Sequence, residues 1–458
     1  MTINRRRRYG ALATIASLAS VSFLAACGDD DSGDSSGSGK VTITVEGWRP
    51  GDEQGTIDAV KQQAAAFTQQ HPDIVVKPVE WEWNAETFAT QLAGNTLPDT
   101  FRVPFTDTKG LAERGQIADV TKYVDALPYS KEFNPSVLQA AQGTDGKIYG
   151  LPTDVYGVGL SYNRQLFEQA GLDPDSPPTT WDEVRADAKA IADKTGKPGY
   201  VQMSANNTGG WMLTTLTYAL GGRMESEDGT TASVDNDATK QGLEMLHAMR
   251  WDDDSMGDNT NFEWGTINEA FAAGKVGMYM SGSDVYNALV TTNQVDSSTY
   301  GLAVLPLADS GDAGILGGGS VAAVNAKASA AEQEAAVAWN DFYREKKNYD
   351  PDAAVADAEV LKASDQPIGT PTLPVFGEET WQTVQDALAP YYNVPRDQMT
   401  SFIDGVFDQT LIPEPASHTQ EVYGILDSVV QKVLTDENAD IDSLLADAND
   451  QAQQLLGS

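Results

Sequence analysis

The polarity pattern of the chain opens with a strand, a helix and a second strand. Residues 41–45 (VTITV) alternate apolar and polar side chains, which is typical of a half-buried strand. Apolar residues then recur at helical spacing from Ile57 to Phe67, until Pro72 ends the run. Residues 74–76 (IVV) predict another strand. Because a strand, a helix and a strand in so few residues form a βαβ unit, we expect a parallel sheet with helices on its faces.

The same succession of strands and helices continues along the chain. The pattern predicts helices around 86–93 and 108–114, strands at 100–103, 148–151, 158–162, 276–280, 302–305 and 321–324, and only helices from residue 378 onward. Thr180-Trp181-Asp182-Glu183 and Ser329-Ala330-Ala331-Glu332 each match the capping box, in which a hydroxyl accepts from a free backbone N–H and the glutamate reaches back. We expect Gly196 to end the first of these helices. The predicted fold class is therefore α/β with a helical C-terminal end.

Residues 1–26 have the pattern of an export signal. Arg5–Arg8 precede an apolar run that extends from about residue 9 to residue 26 and is rich in Ala and Ser. The run stops at an acidic stretch, so it is a poor permanent membrane span. We therefore predict a signal peptide over residues 1–26, and export by the general or the twin-arginine route stays open.

Cys27 follows this leader and is the only cysteine of the chain. Its context, Leu24-Ala25-Ala26-Cys27, resembles the bacterial lipobox, in which the cysteine is acylated and becomes the mature N-terminus. Residues 28–39 (GDDDSGDSSGSG) contain no apolar side chain, and we predict a flexible tether over residues 27–40. The resemblance implies a protein held by lipid on the extracellular or periplasmic face of the cell membrane. An ordinary secretory signal with an incidental cysteine is the alternative.

The composition is strongly acidic. The 458 residues include 30 Lys+Arg and 67 Asp+Glu, which gives a formal charge of −37. Such a surface repels phosphate backbones and anionic headgroups, so nucleic acid is excluded as an expected partner. With 41% hydrophobic and 21% charged residues the chain is globular, and its length suggests two or three domains.

Motifs for catalysis or cofactor binding are missing from the sequence. Gly274-Lys275 is followed by Val276, so no phosphate-cradling loop is supported, and no G-x-S-x-G occurs. One cysteine excludes an internal disulfide and a thiolate zinc site. We therefore predict no catalytic residue and no cofactor.

Residues 252–263 partly match a calcium-binding loop. Acidic residues stand at loop positions one, three and twelve and a glycine at position six, but position five is Met256, which offers no side-chain oxygen. We interpret the segment as a solvated acidic loop and predict no metal site. Calcium binding remains the alternative.

Seven short segments, each weak alone, together resemble the extracellular solute-binding proteins of carbohydrate ABC importers, the class that contains maltose-binding protein. These segments, in family order between about residues 41 and 456, are Pro98–Phe101, Asp145–Pro152, Leu160–Arg164, Pro178–Glu183, Ala270–Met278, Gly301–Pro306 and Leu316–Ser320. The resemblance implies a type II periplasmic-binding-protein-like fold. In that fold two lobes, each a central sheet flanked by helices, close on the ligand about a hinge.

The resemblance also implies how the chain divides. It would cross between lobes near residues 151–156, return near 304–306 and cross again near 343–349. Lobe 1 would then hold residues 41–152 plus 306–345, and lobe 2 residues 153–305 plus 346–458. The implied function is a monomeric, non-enzymatic lipoprotein that captures a sugar or short oligosaccharide and delivers it to the transmembrane subunits of an ABC permease.

Candidate ligand contacts follow from the family and from the chemistry of sugars. Sugar C–H faces pack on aromatic rings, and hydroxyls need directed hydrogen bonds, so aromatic and short polar residues at strand ends are expected. The predicted contacts are Glu46, Trp48, Arg49, Phe105, Asp107, Tyr156, Trp211, Ser281, Asp284, Gly318, Glu414 and His418. The alternatives are helix capping for Asp107, core packing for Trp211 and a tight turn at Gly318. Asp284 stands where the family commonly has an aromatic residue.

Other functions stay open at this point. A secreted glycoside hydrolase would also need aromatic platforms and carboxylates. A binding protein for a polyamine or a glycerol phosphate would share the fold, and an adhesive surface lipoprotein would bind no small molecule.

Overall fold

The structure is a computed structural model that describes residues 40–226, 228–415 and 418–457. The predicted signal peptide, Cys27 and nearly all of the predicted tether lie outside these residues. The strands are β1 (Val41–Trp48), β2 (Ile74–Glu80), β3 (Thr100–Pro104), β4 (Gly150–Asn163), β5 (Met278–Gly282), β6 (Tyr300–Ala303), β7 (Ile315–Val324) and β8 (Leu411–Pro413).

Helices connect and cover these strands. They are α1 (Gln54–Gln70), α2 (Ala85–Ala93), α3 (Phe105–Glu113), α4 (Thr121–Val124), α5 (Pro135–Gln139), α6 (Arg164–Ala170), α7 (Trp181–Thr195), α8 (Thr208–Ala219), α9 (Asp237–His247), α10 (Trp264–Ala272), α11 (Val285–Thr291), α12 (Ala330–Asn340), α13 (Lys346–Tyr349), α14 (Pro351–Ala363), α15 (Glu378–Leu388), α16 (Thr400–Gly405), α17 (Thr419–Thr435) and α18 (Ile441–Leu456). In none of the ranges that the structure describes is a helix both long and apolar enough to cross a membrane.

Two groups of strands share the long strand β4. In the first group the order is β2-β1-β3-β7-β4, with β1 parallel to β2 and β3, and β7 antiparallel to β3 and β4. In the second group the C-terminal half of β4 lies between β5 and β6 and is antiparallel to both. We call these groups, with the helices around them, the first and second lobes. The predicted α/β class and the parallel βαβ start are confirmed.

Two predictions about individual elements are corrected. The two strands predicted at 148–151 and 158–162 are one strand, β4, which continues through a register shift between Thr153 and Tyr156. The chain after residue 378 is not wholly helical, because β8 pairs with the start of β7. Short strands of this kind have no periodic signal of their own and depend on their partner.

Strand β7 also joins the two lobes. Just before it, the Gly314 amide donates to the carbonyl of Tyr218 in α8, and its first residue, Ile315, donates to the carbonyl of Thr410. Its last residues pair with β3. The Ala308 amide also bonds to a second-lobe helix, at the Ala219 carbonyl. The lobe boundaries predicted at 152, 306 and 345 remain a prediction.

The helix starts agree with the capping rules. The Glu183 amide donates to Thr180 Oγ1 (3.1 Å) and the Glu332 amide to Ser329 Oγ (3.4 Å), so both predicted capping boxes form. Gly196 ends α7 with a left-handed φ of 68°. These local rules are therefore sufficient to place both helices.

Candidate functional site

Strands β3 and β8 end head to head on one edge of β7. Gly317 of β7 pairs with Gly157 of β4 on one side and with Pro413 of β8 on the other. From Ser320 onward, the edge of β7 that pairs with β8 at Gly317 pairs instead with β3. Because β3 is antiparallel and β8 parallel to β7, both strands run towards Gly318 and Gly319 and stop there. Glu414 follows β8 and precedes α17, which is bonded to the second-lobe helix α8 through Asp427 and Gly210, so we count it with the second lobe. Glu414 and the residues after β3 in the first lobe, Phe105–Asp107, therefore meet across one space, the interlobe gap.

Glycine at the bottom of this gap allows two aromatic rings to lie against β7. A Cβ atom at Gly318 would be 2.4 Å from the hydroxyl oxygen of Tyr156, and one at Gly319 would be 2.8 Å from Cζ of Phe105. Both distances are too short for a real side chain, so only glycine lets the rings approach the backbone this closely. Gly318 thus makes room for Tyr156.

Glu414 lies among three tyrosines. The Tyr423 hydroxyl donates to Glu414 Oε1 at 3.0 Å. Burial, with a contribution from Asp107 across the gap, raises the pKa of Glu414 above its usual range. Burial and then the charge of Glu414 raise the pKa of Tyr156, Tyr218 and Tyr423, although Glu225 acts more strongly than Glu414 on Tyr218.

Two further carboxylates border the gap. The Asp107 carboxylate accepts a hydrogen bond from the Thr106 hydroxyl at 3.2 Å, and burial raises its pKa despite the more distant Arg114. Burial also raises the pKa of Asp284, whose charge acts on Tyr156. Within the part of the chain that the structure describes, Asp107, Asp284 and Glu414 form no ion pair within 4.0 Å of a lysine, arginine or histidine.

A cavity of about 630 Å³ lies beside the N-terminal turns of α3, and we call it the mouth cavity. Its lining residues are Lys109, Gln139, Gln142, Gly143, Thr144 and Gly146 from the first lobe and Ser226 and Asp228 from the second. Its volume lies in the range of small-molecule sites.

A second cavity, of about 480 Å³, borders Tyr156 and Asp284 on the side of the register shift in β4. Arg344, Lys347 and the segment 367–376 contribute to its other wall. The two basic residues there already have acidic partners, since Arg344 faces Glu46 and Lys347 faces Asp357.

Glu46, predicted as a ligand contact, is engaged by arginine side chains. Its carboxylate accepts from the Arg102 amide (2.6 Å) and from Arg102 Nη2 (2.7 Å), and Arg344 Nη2 lies 3.8 Å away. Only 6% of the Glu46 side chain is exposed. Arg102 also binds Asp154 in the register shift of β4 at 2.8 Å. Glu46 therefore stabilises the segment that joins the lobes.

The structure brings six of the predicted contacts together: Phe105, Asp107, Tyr156, Asp284, Gly318 and Glu414. The other six, Glu46 among them, make different contacts, and their role as ligand contacts stays a prediction. The Trp48 ring is half-buried, with Lys61 Nζ 5.2 Å from its centre, and Arg49 is exposed. His418 Nδ1 lies 3.6 Å from a carboxylate oxygen of Glu421.

Trp211 and Ser281 are placed inside the second lobe. Trp211 packs partly buried against the core from α8, and its indole N–H has no hydrogen-bond partner among the described residues. Ser281 is fully buried in β5, opposite Gly159, and its hydroxyl likewise has no described partner.

Sequence reasoning missed Tyr218 and Tyr423. Tyr218 lies on α8, which is buried on nearly all sides, and Tyr423 lies on the amphipathic helix α17, so both positions are typical of ordinary core residues. The glutamines of the mouth cavity were missed as well, because α5 and the loop after it carry no motif. No sequence motif marks any of these residues, because their position near the gap depends on which strand ends the fold brings next to them.

The acidic residues of 252–263 point to different partners. Asp253 pairs with Arg185, whereas Asp254 and Asp258 lie 3.8 and 3.7 Å from Arg250. Asn206 donates to the Glu263 carboxylate at 2.8 Å. Among the residues that the structure describes, no group of three or more His, Cys, Asp or Glu side chains is arranged to hold a metal ion.

Comparison with known proteins agrees with this architecture. Residues 51–350 match the family described as bacterial extracellular solute-binding protein. The chain is 25% identical over 340 residues to the diacetylchitobiose binding protein of Streptomyces coelicolor, covering 70% of this chain and 75% of that protein. It is 28% identical over 158 residues to the sn-glycerol-3-phosphate-binding periplasmic protein of Yersinia pestis, covering 32% and 35%.

Solved structures share the fold. The crystal structure of the cyclic alpha-maltosyl-1,6-maltose binding protein from Arthrobacter globiformis superposes with a TM-score of 0.67 at 23% identity, covering 92% of this chain and 100% of that one. The two-lobe arrangement predicted from the sequence is therefore confirmed.

Proposed function

This chain belongs to the bacterial extracellular solute-binding proteins, and on that premise we propose that it captures a sugar or short oligosaccharide in the interlobe gap and delivers it to the permease of an ABC importer. Two of the three similar proteins described above are named for saccharides. The proposal assigns the chain a binding role without chemical change of the solute.

One observation carries this proposal. Asp107 of the first lobe and Glu414 of the second border the same gap, and strands β4 and β7 connect the lobes beneath it. A solute in the gap contacts both lobes at once, so its binding energy favours the closed arrangement. A permease that recognises only the closed arrangement then receives only loaded protein.

The chemistry of the gap suits a polyhydroxylated solute. The carboxylates of Asp107 and Glu414 accept hydrogen bonds from hydroxyls, and the half-buried ring of Tyr156 offers an apolar face to sugar C–H groups. Gln139 and Gln142 of the mouth cavity add amide donors and acceptors. A glycerol phosphate fits less well, because these acids repel a phosphate group.

The test is a thermal-shift screen of the full chain in detergent with diacetylchitobiose, maltose, lactose, raffinose and glycerol 3-phosphate. We expect a saccharide to raise the melting temperature and to be recovered unchanged by chromatography. Asp107→Asn should reduce the shift, whereas Asp309→Asn, at an exposed position, should retain it. Stabilisation by glycerol 3-phosphate alone would contradict the sugar assignment, and a cleaved product would favour a glycoside hydrolase.

We further propose that Cys27 carries the lipid that holds the protein, as a monomer, on the outer face of the cell membrane. The support is the lipobox-like sequence before the only cysteine. Cells given a labelled palmitate analogue should label the protein, whereas Cys27→Ala should stay unlabelled. Equal labelling of both would refute acylation at Cys27.

A further inference from the structure

We propose that the second cavity is a binding subsite for one neutral sugar ring of the solute, in which Arg344 donates hydrogen bonds to two adjacent hydroxyl oxygens of that ring. This inference rests on the proposed function, because it adds a subsite and a specificity-determining residue to the capture of a saccharide. None of the ligand contacts predicted from the sequence lies at Arg344 or on the segment 367–376, which forms one wall of this cavity.

The first argument is that Arg344 is nearly buried and yet donates no hydrogen bond to a described residue. Only 11% of its side chain is exposed, and it lines the second cavity. Its acidic neighbour is Glu46, whose Oε2 atom lies 3.8 Å from Arg344 Nη2, which is too far for a hydrogen bond. Arg102 already donates to both oxygens of Glu46, at 2.6 Å to Oε2 and at 2.7 and 3.0 Å to Oε1. The N–H donors of Arg344 are therefore available to a molecule in the cavity.

The second argument is a contrast with two arginines of similar exposure. The Arg164 side chain is 15% exposed and donates to the Pro174 carbonyl at 2.8 Å. The Arg250 side chain is 14% exposed and donates to the Leu434 carbonyl at 3.3 Å. A sheltered guanidinium without such bonds is costly, and burial lowers the pKa of Arg344. The contrast indicates that Arg344 is placed to contact a solute, whereas the other two arginines stabilise the fold.

The third argument is that the second cavity lies between the two lobes. Arg344 contributes from the first-lobe side, next to Glu46 of β1, and Asn287 of α11 contributes from the second lobe. The segment 367–376 forms a further wall, from which Thr370 Oγ1 donates to Asn287 Oδ1 at 2.7 Å. A ring held between Arg344 and Asn287 therefore contacts both lobes, so its binding energy favours closure.

The other lining groups suit a sugar ring. The Nδ2 atom of Asn287 donates no hydrogen bond to a described residue, and the exposed carboxylate of Asp284 can accept from a hydroxyl. The half-buried rings of Tyr156 and Trp381 line the same cavity and offer apolar faces to C–H groups. The planar fork of a guanidinium matches two neighbouring oxygen atoms. The volume of about 480 Å³ lies in the range of small-molecule sites.

The charges of the lining favour a neutral solute over an anion. Three acids, Asp154, Asp284 and Asp357, line the cavity together with two bases, Arg344 and Lys347. Lys347 Nζ already lies 3.6 Å from the Asp357 carboxylate. A phosphate or carboxylate group would be attracted by Arg344 and repelled by the acids, whereas a hydroxyl oxygen accepts from the guanidinium without that repulsion.

The substitution Arg344→Met tests the inference, because methionine keeps an unbranched apolar side chain and removes every donor. Calorimetric titration of the full chain in detergent with maltose, lactose, raffinose and diacetylchitobiose identifies the saccharides that bind. We expect Arg344→Met to weaken each of these about tenfold or more. The urea midpoint should stay equal or rise, since the arginine donates no hydrogen bond to the described protein. Lower stability with unchanged affinity would assign Arg344 a structural role and overturn the inference.

The substitution Arg250→Met is a matched control. Arg250 has acidic neighbours at 3.8 and 3.7 Å, much as Arg344 has, but its Nε atom donates to a backbone carbonyl. Loss of that bond should lower the urea midpoint and leave the saccharide affinity unchanged.

A second variant tests the subsite from the other lobe. Asn287→Asp keeps an oxygen that accepts from Thr370 but loses the amide donors, so saccharide affinity should fall about fivefold. Because Asn287 is exposed, this variant should fold normally. Full affinity in either Arg344→Met or Asn287→Asp would overturn the inference.

The remaining outcomes distinguish the subsite from the proposed function. A saccharide that binds the wild type and both variants equally leaves the proposed function intact and refutes the subsite. Binding of glycerol 3-phosphate alone, weakened by salt and lost in Arg344→Met, would assign the cavity to an anion and contradict both proposals. No binding of any of these solutes refutes the proposed function, and the subsite with it.

Discussion

Atomic contacts at the bottom of the interlobe gap determine how closely two aromatic rings approach strand β7. The Tyr156 hydroxyl occupies the space that a side chain at position 318 would need, and Phe105 does the same at position 319. Each ring can therefore lie against β7 only because the glycine beside it has no Cβ atom. These rings and the acids Asp107 and Glu414 therefore border the gap that we propose as the solute site.

The substitution Gly318→Ala should damage both stability and binding. Its Cβ would lie 2.4 Å from the Tyr156 hydroxyl oxygen, so the ring must move away, at a cost of about 1–3 kcal/mol. Urea denaturation measures this cost, and calorimetry measures the loss of solute affinity. Gly311→Ala, where no atom lies within 4 Å of the new Cβ, should change neither quantity. Equal stability of the two variants would contradict the proposed packing.

Glu345 is a second residue whose surroundings set its chemistry. It ends the π-helical segment Asp341–Glu345, is fully buried, and its Oε1 atom has no hydrogen-bond partner among the described residues. Burial raises the pKa of Glu345 to about 8, although the hydrogen bond that Asn348 donates to its other carboxylate oxygen acts to lower it. The folded protein therefore holds this side chain protonated at neutral pH.

This pKa predicts how stability depends on pH. Because the folded-state value exceeds the usual 4.5, the folded protein binds one more proton than the unfolded chain between these values. Stability should fall as the pH rises from about 4.5 to about 8, by at most about 1.4 kcal/mol per pH unit, and level off above. Glu345→Gln should lose this decline, whereas Glu269→Gln, at an exposed position, should keep it. Parallel stability profiles of wild type and Glu345→Gln would refute the assignment.

Strand β4 is the element that carries the connection between the lobes. Its register shift places Asp154 in the left-handed region, with a φ of 53°, and Arg102 holds the Asp154 carboxylate. A shift of this kind bends a strand locally and lets one strand serve two differently oriented sheets. The strain and the ion pair are therefore both part of the crossing between the lobes.

Two substitutions at Asp154 separate the backbone from the charge. Asp154→Ala and Asp154→Gly both lose the ion pair, but alanine also keeps a Cβ in the left-handed region. We therefore expect the alanine variant to be less stable by about 1 kcal/mol in urea denaturation. Asp365 has a φ of 54° and forms no ion pair within 4.0 Å of another described residue, so it should give the same difference between its alanine and glycine variants. A glycine variant at position 154 no more stable than the alanine one would contradict the backbone argument.

At the scale of all described residues, two lobes are joined by β4 and β7, and Asp107 of one lobe borders the same gap as Glu414 of the other. Solute binding should draw the lobes together, so small-angle scattering should give a smaller radius of gyration when the bound saccharide is present. Asp107→Asn should need more solute for the same change. Superimposable curves with and without a solute that binds by calorimetry would refute closure.

Much of the fold was predictable because it depends on short stretches of chain. The alternation at 41–45, the helical spacing after it and the two capping boxes act over a few residues, and the structure confirms each of them. The family resemblance placed Asp107 after a strand, Tyr156 at the hinge and Glu414 at a turn before a late helix, and the structure brings the three to one gap. The short strand β8 was missed, since three residues have no pattern apart from the strand that they pair with.

The sequence alone determined the succession of elements, the family and the kinds of side chain available for binding, because all of these are properties of neighbouring residues. Only the tertiary structure decided which of the described acids are paired with an arginine and which have no basic partner within 4.0 Å. Glu46 and Glu414 both lie near strand ends, yet Glu46 meets Arg102 from 56 residues away, whereas Glu414 meets a tyrosine and another acid. Charge pairing depends on distance in space, which the order of residues does not contain.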